Sequence, residues 1–245
     1  MMRSLYTSES GMREYAGRVE TVSHNIANIN TPAFKRRQRL FQDLVFNRNG
    51  SSIGNGVNLS AIQTDTSSGG LQKTSGPTDI AIQGEGYFIL EDAGGDSVYT
   101  RDGSFHLDAD GRLVHSSGLI LRDDIVMHPF SEGLTINSDG KVLVNIPGEG
   151  VAKEIGIIEI ATFTNPAGLQ AIGSNLFRET ANSGEPEYVV PGSGKSGMLA
   201  QGMLEMSNVI LVNEIVSLLT SERAFELNSK ALQTSNSLIQ TALNL

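Results

Sequence analysis

Apolar residues at the start of the chain recur at helical spacing. One side chain in every three or four is apolar, with Ser8 as the polar exception: Leu5, Met12, Tyr15, Val19, Val22 and Ile26. This 3-4 spacing predicts a single helical stripe about six turns long. The helix is expected to end between Asn28 and Thr31, because the residue before a proline, here Pro32, is disfavoured in the α region.

The end of the chain carries a second stripe of the same kind. Its apolar members are Leu211, Ile215, Leu218, Phe225, Leu232, Ile239 and Leu243, with polar residues at the remaining positions, Glu222, Ser229 and Asn236. A neighbouring line widens the apolar face in the first half: Val209, Val212, Val216 and Leu219. The pattern predicts a helix from about Asn208 to Leu243, about 50 Å long at 1.5 Å per residue.

Between the two helices the pattern changes to short alternating runs separated by glycine. Asp110-Gly111 and Asp139-Gly140 each lie between two such runs, which is the signal of a tight hairpin. The middle of the chain is therefore predicted to be mainly antiparallel β structure. Two glycine- and serine-rich segments, residues 47–56 and 191–197, are typical of linkers.

The predicted fold class is therefore α+β, with the terminal helices pairing as a coiled-coil-like stem. The expected segments are an N-terminal helix and signature (1–45), a linker (46–76), a β-rich middle domain (77–190), a glycine/serine linker (191–206) and a C-terminal helix (207–245). Each helix alone would leave its apolar face in water. The faces can be covered within one molecule, as a helical hairpin on the β domain, or between molecules, and the sequence leaves both possibilities open.

Composition narrows the class of function. The formal net charge is −9, so the overall basic surface that nucleic-acid binding requires is absent. The basic cluster Lys35, Arg36, Arg37 and Arg39 is expected to be a solvated face after a turn. The chain has no cysteine, which excludes disulfides and thiolate sites. No run of about 18 apolar residues predicts membrane insertion, and no apolar run predicts a cleaved secretory signal; by these criteria alone the protein would be cytoplasmic.

Candidate chemical motifs do not complete a site. Gly194-Lys195-Ser196 resembles the end of a phosphate-binding loop, but Val189 stands where that loop needs its first glycine. The aspartate-rich turns before Gly111 and Gly140 lack the last calcium ligand. The four histidines have no metal-binding spacing. We therefore predict no enzyme activity, no cofactor and no metal.

Three segments resemble known signatures. The segment from Asn25 to Arg36, NIANINTPAFKR, closely resembles the N-terminal signature of flagellar axial proteins, which are the rod, hook and hook-associated proteins. The family pattern has glycine where this chain has Ala33. Residues 202–209 (GMLEMSNV) with residues 222–230 (ERAFELNSK) resemble the C-terminal signature, and residues 79–88 with 99–105 resemble the β domain of the hook and rod branch.

The resemblance implies a structural role in the bacterial flagellum. Proteins of this family are exported unfolded through the type III flagellar export apparatus without a cleaved signal, which would move the protein to the periplasmic rod of the basal body. They stack helically, with their terminal helices in the inner tube of a hollow shaft that transmits torque to the hook, as motility requires. Chain length and the C-terminal motif favour a distal rod protein; a proximal rod protein or another hook-family axial protein is the alternative.

The resemblance also implies partners and residues. The partners would be further copies of the chain in a helical stack, other rod and hook proteins, and the outer ring proteins. The residues expected to carry self-association are Leu5, Met12, Tyr15, Val19, Val22, Ile26, Leu211, Ile215, Leu218, Phe225, Leu232 and Ile239. The residues expected to form the family signature are Asn25, Ala27, Asn28, Thr31, Phe34, Ser207, Asn208, Val209, Arg223 and Asn228.

Overall fold

The computed structural model describes residues 2–48, 51–92, 94–123, 125–127, 133–145 and 152–243. The chain divides into two compact units, neither of which is continuous in sequence. Unit 1 comprises Met1–Ile29, Arg36–Asp65 and Val209–Leu245, and unit 2 comprises Asn30–Lys35 and Thr66–Asn208. Each unit therefore needs both an early and a late part of the chain.

Unit 1 contains two helices and a long β-hairpin. Helix α1 spans Met2–Ala27, strands β1 and β2 span Arg37–Arg48 and Ser51–Thr64, and helix α2 spans Leu211–Leu243. The two strands pair antiparallel from Arg37↔Thr64 to Arg48↔Ser51. The hairpin packs on α1 through an edge-to-face contact of Tyr15 with Phe41, whose ring centroids lie 6.4 Å apart.

Unit 2 is made of short strands. Their bounds are Leu71–Lys73 (β3), Ile80–Gln83 (β4), Tyr87–Glu91 (β5), Ser97–Thr100 (β6), Phe105–Leu107 (β7), Leu113–His115 (β8), Ile120–Leu121 (β9), Leu134–Ile136 (β10), Lys141–Val144 (β11), Lys153–Ile157 (β12), Ile160–Thr162 (β13), Gln170–Gly173 (β14), Leu176–Arg178 (β15), Glu187–Val189 (β16), Met198–Gln201 (β17) and Met203–Glu205 (β18). A 3₁₀ turn lies at Pro166–Gly168. All the strand pairings that the structure describes are antiparallel, so the predicted antiparallel β middle is confirmed.

The largest sheet has the order β14-β15-β6-β5-β9-β8-β7, and β13 joins it between β5 and β16. Strands β10, β11 and β12 form a second sheet, while β17 pairs with β4 and β18 pairs with β3. Strands β4 and β5 are buried over most of their length, with Ile80, Phe88 and Leu90 fully inaccessible to solvent. These residues form the centre of the main hydrophobic core.

The two Asp-Gly pairs lie in the predicted hairpin turns. Gly111, at φ 78°, lies between β7 and β8, and Gly140, at φ 85°, lies between β10 and β11. Both angles are in the left-handed region, which glycine adopts without the steric cost of a Cβ atom. The Gly140 amide donates to the Asn137 carbonyl over 3.1 Å. This local chemistry explains why the turns could be located from sequence.

The prediction of a coiled-coil-like stem is wrong. Helix α1 has 26 residues and α2 has 33. Strands β1 and β2 of the hairpin, rather than a second helix, cover one side of α1. The two helices do contact each other, but small and polar side chains lie at their contact, as described below. An apolar seam on each helix did not produce a stem because the hairpin takes part of the apolar face of α1.

Neither glycine-rich segment is structureless where the structure describes it. In the segment of residues 47–56, positions 47–48 and 51–56 belong to β1 and β2. Cross-strand pairing stabilises the extended backbone there, although the glycine- and serine-rich composition favours a flexible linker. The segment of residues 191–197 forms turns, in which the Gly192 amide donates to the Gly197 carbonyl over 3.0 Å.

A buried carboxylate fixes the turn between β6 and β7 in unit 2. Asp102 accepts hydrogen bonds from the Ser104 amide at 3.1 Å and from the Ser104 hydroxyl. Its other oxygen lies 3.4 Å from Nε2 of His115. Burial opposes ionisation of Asp102, but its interactions with His115 and Ser104 together outweigh burial and hold its pKa below the usual value.

This arrangement predicts a pH-dependent stability. A carboxyl whose pKa is lower in the folded state stabilises the fold above its unfolded pKa, about 3.9, and the stabilisation is lost as pH falls through the folded value. Replacing Asp102 with Asn should therefore lower the free energy of unfolding at pH 7, and the deficit should shrink below about pH 4. Urea unfolding followed by circular dichroism between pH 2.5 and 7 measures this.

The exposed turn residue Asp110 supplies a matched control. Asp110→Asn should change the free energy of unfolding by no more than about 0.5 kcal/mol at any of these pH values, as expected for a surface substitution. A deficit of Asp102→Asn that stays constant down to pH 2.5 would show that Asp102 acts through packing and hydrogen-bond geometry rather than through its charge.

Candidate functional site

The two helices of unit 1 meet along small and polar residues. A Cβ atom at Gly11 of α1 would lie 3.2 Å from the side-chain amide of Asn228 of α2, which is a tight contact. Nearer the other end of α1, Nδ2 of Asn25 donates to Oε2 of Glu214 over 3.1 Å. The later position on α1 pairs with the earlier position on α2, so the helices run antiparallel. Glycine at position 11 allows this close approach.

The inward line of α2 is polar and has a seven-residue period. Glu214 and Ser221 are buried and Asn228 and Ser235 are half-buried. This line lies one residue before the polar positions that the predicted seam contains, Glu222, Ser229 and Asn236. One residue corresponds to a rotation of about 100° around the helix. The buried polar line of α2 therefore lies beside the seam that periodicity alone indicated.

The predicted self-association residues are divided by this rotation. On α1, Val22 is buried and the other five, Leu5, Met12, Tyr15, Val19 and Ile26, are half-buried. On α2, Leu218, Leu232 and Ile239 are half-buried. Leu211, Ile215 and Phe225 retain about two fifths of their accessible surface, at 43%, 42% and 41%.

The first half of α2 presents a continuous exposed apolar surface, which we term the α2 stripe. Its residues occupy positions i, i+1, i+4, i+5 and i+8 on one side of the helix: Leu211, Val212, Ile215, Val216 and Leu219. Val212, Val216 and Leu219 are 68%, 55% and 52% exposed. A contiguous exposed apolar surface of this kind is typical of an interaction site.

A buried carboxylate holds the polar contact of unit 1 together. Oε1 of Glu214, which is fully buried, lies 2.6 Å from Nε of Arg36. Asn25 is buried beside it, and its side-chain amide also donates to the Arg37 carbonyl over 2.9 Å and accepts from the Arg37 amide over 3.0 Å. Asn25 thus fixes the chain that leads into β1, while Glu214 fixes Asn25. A second ion pair, Glu14 with Arg39 at 3.3 Å, joins α1 to the hairpin.

A second buried carboxylate, Glu205, lies in unit 2. Its Oε1 accepts from Nζ of Lys35 over 2.6 Å and from the Gly69 amide over 2.8 Å. Its Oε2 lies 3.6 Å from Nε of Arg101. Lys35, Arg101 and Glu205 are all at least nine-tenths buried. Arg101 also lies over the ring of Tyr87 at 5.5 Å; burial is the main reason that the pKa of Tyr87 is raised, and Arg101 partly offsets it.

The turn of the N-terminal signature is positioned by the same strand that carries Glu205. Ala33 has φ 55°, in the left-handed region, and its amide donates to the Glu205 carbonyl over 2.7 Å. Glycine, which the family pattern has here, adopts this conformation at lower cost than alanine. The departure at Ala33 therefore keeps the turn geometry and adds a buried methyl group.

The expectation that the basic cluster is a solvated face is wrong. Lys35 is buried on Glu205, Arg36 pairs with Glu214 and Arg39 pairs with Glu14. Sequence reasoning also missed Glu205 and Glu214 as their partners. Both glutamates stand inside or just after the C-terminal signature, and that signature gave no information about what they bind.

The predicted signature residues have different environments. Asn25, Phe34 and Val209 are buried; Asn28, Thr31, Ser207, Asn208 and Asn228 are half-buried; Ala27 and Arg223 are exposed. Within unit 2, the Asn208 amide donates to the Phe34 carbonyl over 3.3 Å, and its side chain donates to the Ser67 carbonyl over 3.1 Å. The N- and C-terminal signatures are therefore in direct contact.

The rejected chemical motifs are engaged in local structure. The Ser196 hydroxyl donates to the Ser193 carbonyl over 2.6 Å rather than pointing to a phosphate site. Ser117 and His115 are also close, with Oγ of Ser117 2.8 Å from Nδ1 of His115. The Ser117 amide donates to the same nitrogen, so the pair stabilises a local turn. In the described ranges no group of histidine and carboxylate side chains could hold a metal ion, and neither helix is long and apolar enough to cross a membrane.

The ion pairs of Glu205 give a testable prediction. Glu205→Gln should lower the free energy of unfolding of unit 2 by about 3–5 kcal/mol, because it leaves two buried cations without their counter-charge. Lys35→Met should cost less, since the Gly69 amide still donates to the carboxylate and Arg101 remains 3.6 Å away as a counter-charge. Denaturant unfolding measured by circular dichroism tests both.

The exposed pair Lys141 and Glu154, at 3.9 Å, provides the control. Glu154→Gln should change stability by no more than about 0.5 kcal/mol. If Glu205→Gln is as mild as Glu154→Gln, the buried cluster does not hold unit 2 together.

Comparison with known proteins covers both ends and the middle of the chain. Residues 5–35 match the family described as "Flagella basal body rod protein", and residues 200–245 match "Flagellar basal body rod FlgEFG protein C-terminal". Residues 81–144 match "Flagellar hook protein FlgE/F/G D1 domain". The first match contains Asn25 and Lys35, and the second contains Glu205 and Glu214, with which they form the buried polar contacts described above.

Similar proteins align over the whole length. The flagellar basal-body rod protein FlgG of Borreliella burgdorferi is 40% identical, with 100% of this chain and 99% of that relative covered. FlgG of Caulobacter vibrioides is 36% identical over 100% of this chain and 99% of the relative, whereas FlgF of the same organism is 31% identical over 99% and 97%. The chain belongs to the flagellar basal-body rod proteins, and within them to the FlgG type.

Proposed function

We propose that this chain is a structural subunit of the distal rod of the bacterial flagellar basal body. It polymerises into the hollow drive shaft that transmits motor torque to the hook, and flagellum-dependent motility requires it. It works in the periplasmic rod of the basal body. The named relatives, which align with this chain from end to end, support the rod assignment, and the higher identity to FlgG than to FlgF of one organism supports the distal segment.

One observation supports assembly through unit 1 above all. Among the described residues, Val22 and Val209 are the apolar side chains that unit 1 buries fully, whereas both hydrophobic core clusters lie in unit 2. Polar contacts join α1, α2 and the hairpin within unit 1, while the α2 stripe remains exposed to water. Full burial of one such side chain contributes about 1.5–3 kcal/mol, so contact with a neighbouring subunit supplies the stabilisation that unit 1 lacks.

The role is structural and not enzymatic. The polymer partners are further copies of this chain in a helical stack and the other rod and hook proteins at its two ends. Contacts with the outer ring proteins and with the type III export apparatus belong to the same proposal. The two buried glutamates Glu205 and Glu214 pair with Lys35 and Arg36, which is a structural use of buried charge.

Charged substitutions in the α2 stripe test the proposal. Val212→Lys with Val216→Lys should leave the isolated subunit folded, because both side chains are more than half exposed. The variant should not complement motility in a strain that lacks its own distal rod protein, because burying two ammonium groups against a neighbour is costly. Swimming assays and electron microscopy of basal bodies measure the loss.

Val126, which is 50% exposed in unit 2, provides a control of the same residue type. Val126→Lys should support rods and motility at wild-type levels. Wild-type rods from the Val212→Lys, Val216→Lys variant would contradict assembly through the α2 stripe.

The alternative is a binding module whose terminal helices serve only its own fold. Hydrogen exchange distinguishes the two functions. The rod proposal predicts weak protection of residues 208–243 in the free chain and strong protection in isolated rods, because partners from neighbouring subunits order the helix. Strong protection of residues 5–26 and 208–243 in the free chain, unchanged in rods, would favour the module.

A further inference from the structure

The outward side of the β-hairpin in unit 1 has an unusual composition. Three cross-strand pairs follow one another along it, Gln38 with Gln63, Leu40 with Ala61 and Gln42 with Asn58. All six side chains are exposed and none is charged. We term this surface the hairpin outer face. The opposite side packs on α1, since Phe41 contacts Tyr15 and Arg39 pairs with Glu14.

A two-stranded sheet with an exposed, uncharged face is a hazard for a free protein. Natural proteins usually place charged side chains on such strands to prevent unwanted association. Here the charged residues of the first half of β1 lie on the α1 side: Arg39 pairs with Glu14, and Arg37 lines the same groove beside Glu20 and His24. The absence of charge from the hairpin outer face therefore indicates a surface that another molecule covers.

We propose that the hairpin outer face of one subunit receives the α2 stripe of a second copy of this chain. This inference rests on the proposed function and names the surface that the α2 stripe binds. Both surfaces are uncharged, so their contact desolvates no ionised group. The outward side of α1, in contrast, carries Glu9 and Arg13, which are 61% and 78% exposed.

The two surfaces also agree in length. The α2 stripe spans nine residues from Leu211 to Leu219, which is eight steps of 1.5 Å or about 12 Å. The hairpin outer face spans five residues of β1 from Gln38 to Gln42, which is four steps of 3.3 Å or about 13 Å. Charged residues follow the stripe, beginning with Glu222 and Arg223. The α2 stripe and the hairpin outer face, as defined by these residues, are therefore of similar length.

The pairing has a consequence for assembly. A contact between two different surfaces is heterologous and continues from copy to copy, whereas a contact between two α2 stripes is isologous and closes at a dimer. Both surfaces lie in unit 1 and both remain exposed in one chain. Each subunit can therefore give one contact and receive one, which is what an open polymer requires.

Cysteine cross-linking tests the pairing directly, because the chain has no cysteine of its own. One chain carries both Leu40→Cys and Val216→Cys, and a second carries Gln42→Cys and Val212→Cys to sample the register. Rods are isolated from cells that express each variant and are then oxidised. At least one double variant should give a ladder of multimers on a non-reducing gel, and each single variant should not. A disulfide forms only when the Cβ atoms lie about 3.5–4.5 Å apart.

Three results would overturn the pairing. Dimers from Val216→Cys alone would show that two α2 stripes meet. Cross-links of Val216→Cys to Val126→Cys, or to a different rod protein, would give the stripe another partner. Motile cells whose rods give no ladder with either double variant would remove the hairpin from the contact and leave the rod function intact.

Charge reversal provides an independent readout. Leu40→Glu and Val216→Lys should each abolish motility, and the chain with both changes should recover at least a tenth of wild-type swimming. Normal motility of Leu40→Glu, with Val216→Lys inactive, would overturn the pairing but not assembly through the α2 stripe. Normal motility of Val216→Lys would instead contradict assembly through the α2 stripe. Circular dichroism of each purified variant shows whether it is folded.

Discussion

Two buried glutamates connect the ends of the chain. Glu205 binds Lys35 at a sequence separation of 170 residues, and Glu214 binds Arg36 at a separation of 178. A buried carboxylate without its cation would be strongly destabilising, so each pair forms only together with the fold around it. Lys35 belongs to unit 2 and Arg36 to unit 1. These two adjacent residues therefore join an early and a late part of the chain in each unit. Neither unit is complete until the late part of the chain is present.

The same polar contacts determine which surface is available for assembly. Glu214 and Ser221 are turned inward on α2, and Gly11 of α1 leaves room for Asn228. A helix that uses its polar line for contacts within the chain must direct its apolar line elsewhere. The polar contacts therefore leave the α2 stripe exposed, and the buried ion pairs and the outward apolar surface are two results of one helix orientation.

The sequence predicts those parts of the fold that local physics determines. The turns at Gly111 and Gly140, the antiparallel β middle and the existence of both helices follow from glycine conformation and periodicity. The inward side of α2 could not be predicted, since a partner decides between neighbouring lines about 100° apart. Nor could the ion pairs of the basic cluster, because their carboxylates are distant in sequence. The hairpin could not be predicted either, because the glycine-rich start of β2 is typical of a linker and becomes a strand only by pairing with β1.

The two units differ in what stabilises them, and this difference connects structure with function. Unit 2 contains the hydrophobic core and can be stable on its own account. Unit 1 buries few apolar side chains and relies on ion pairs such as Glu14 with Arg39. Buried ion pairs specify geometry but contribute little net stability. On the proposed function, unit 2 keeps its own core in the free subunit, whereas unit 1 gains its apolar contacts from neighbouring subunits in the rod.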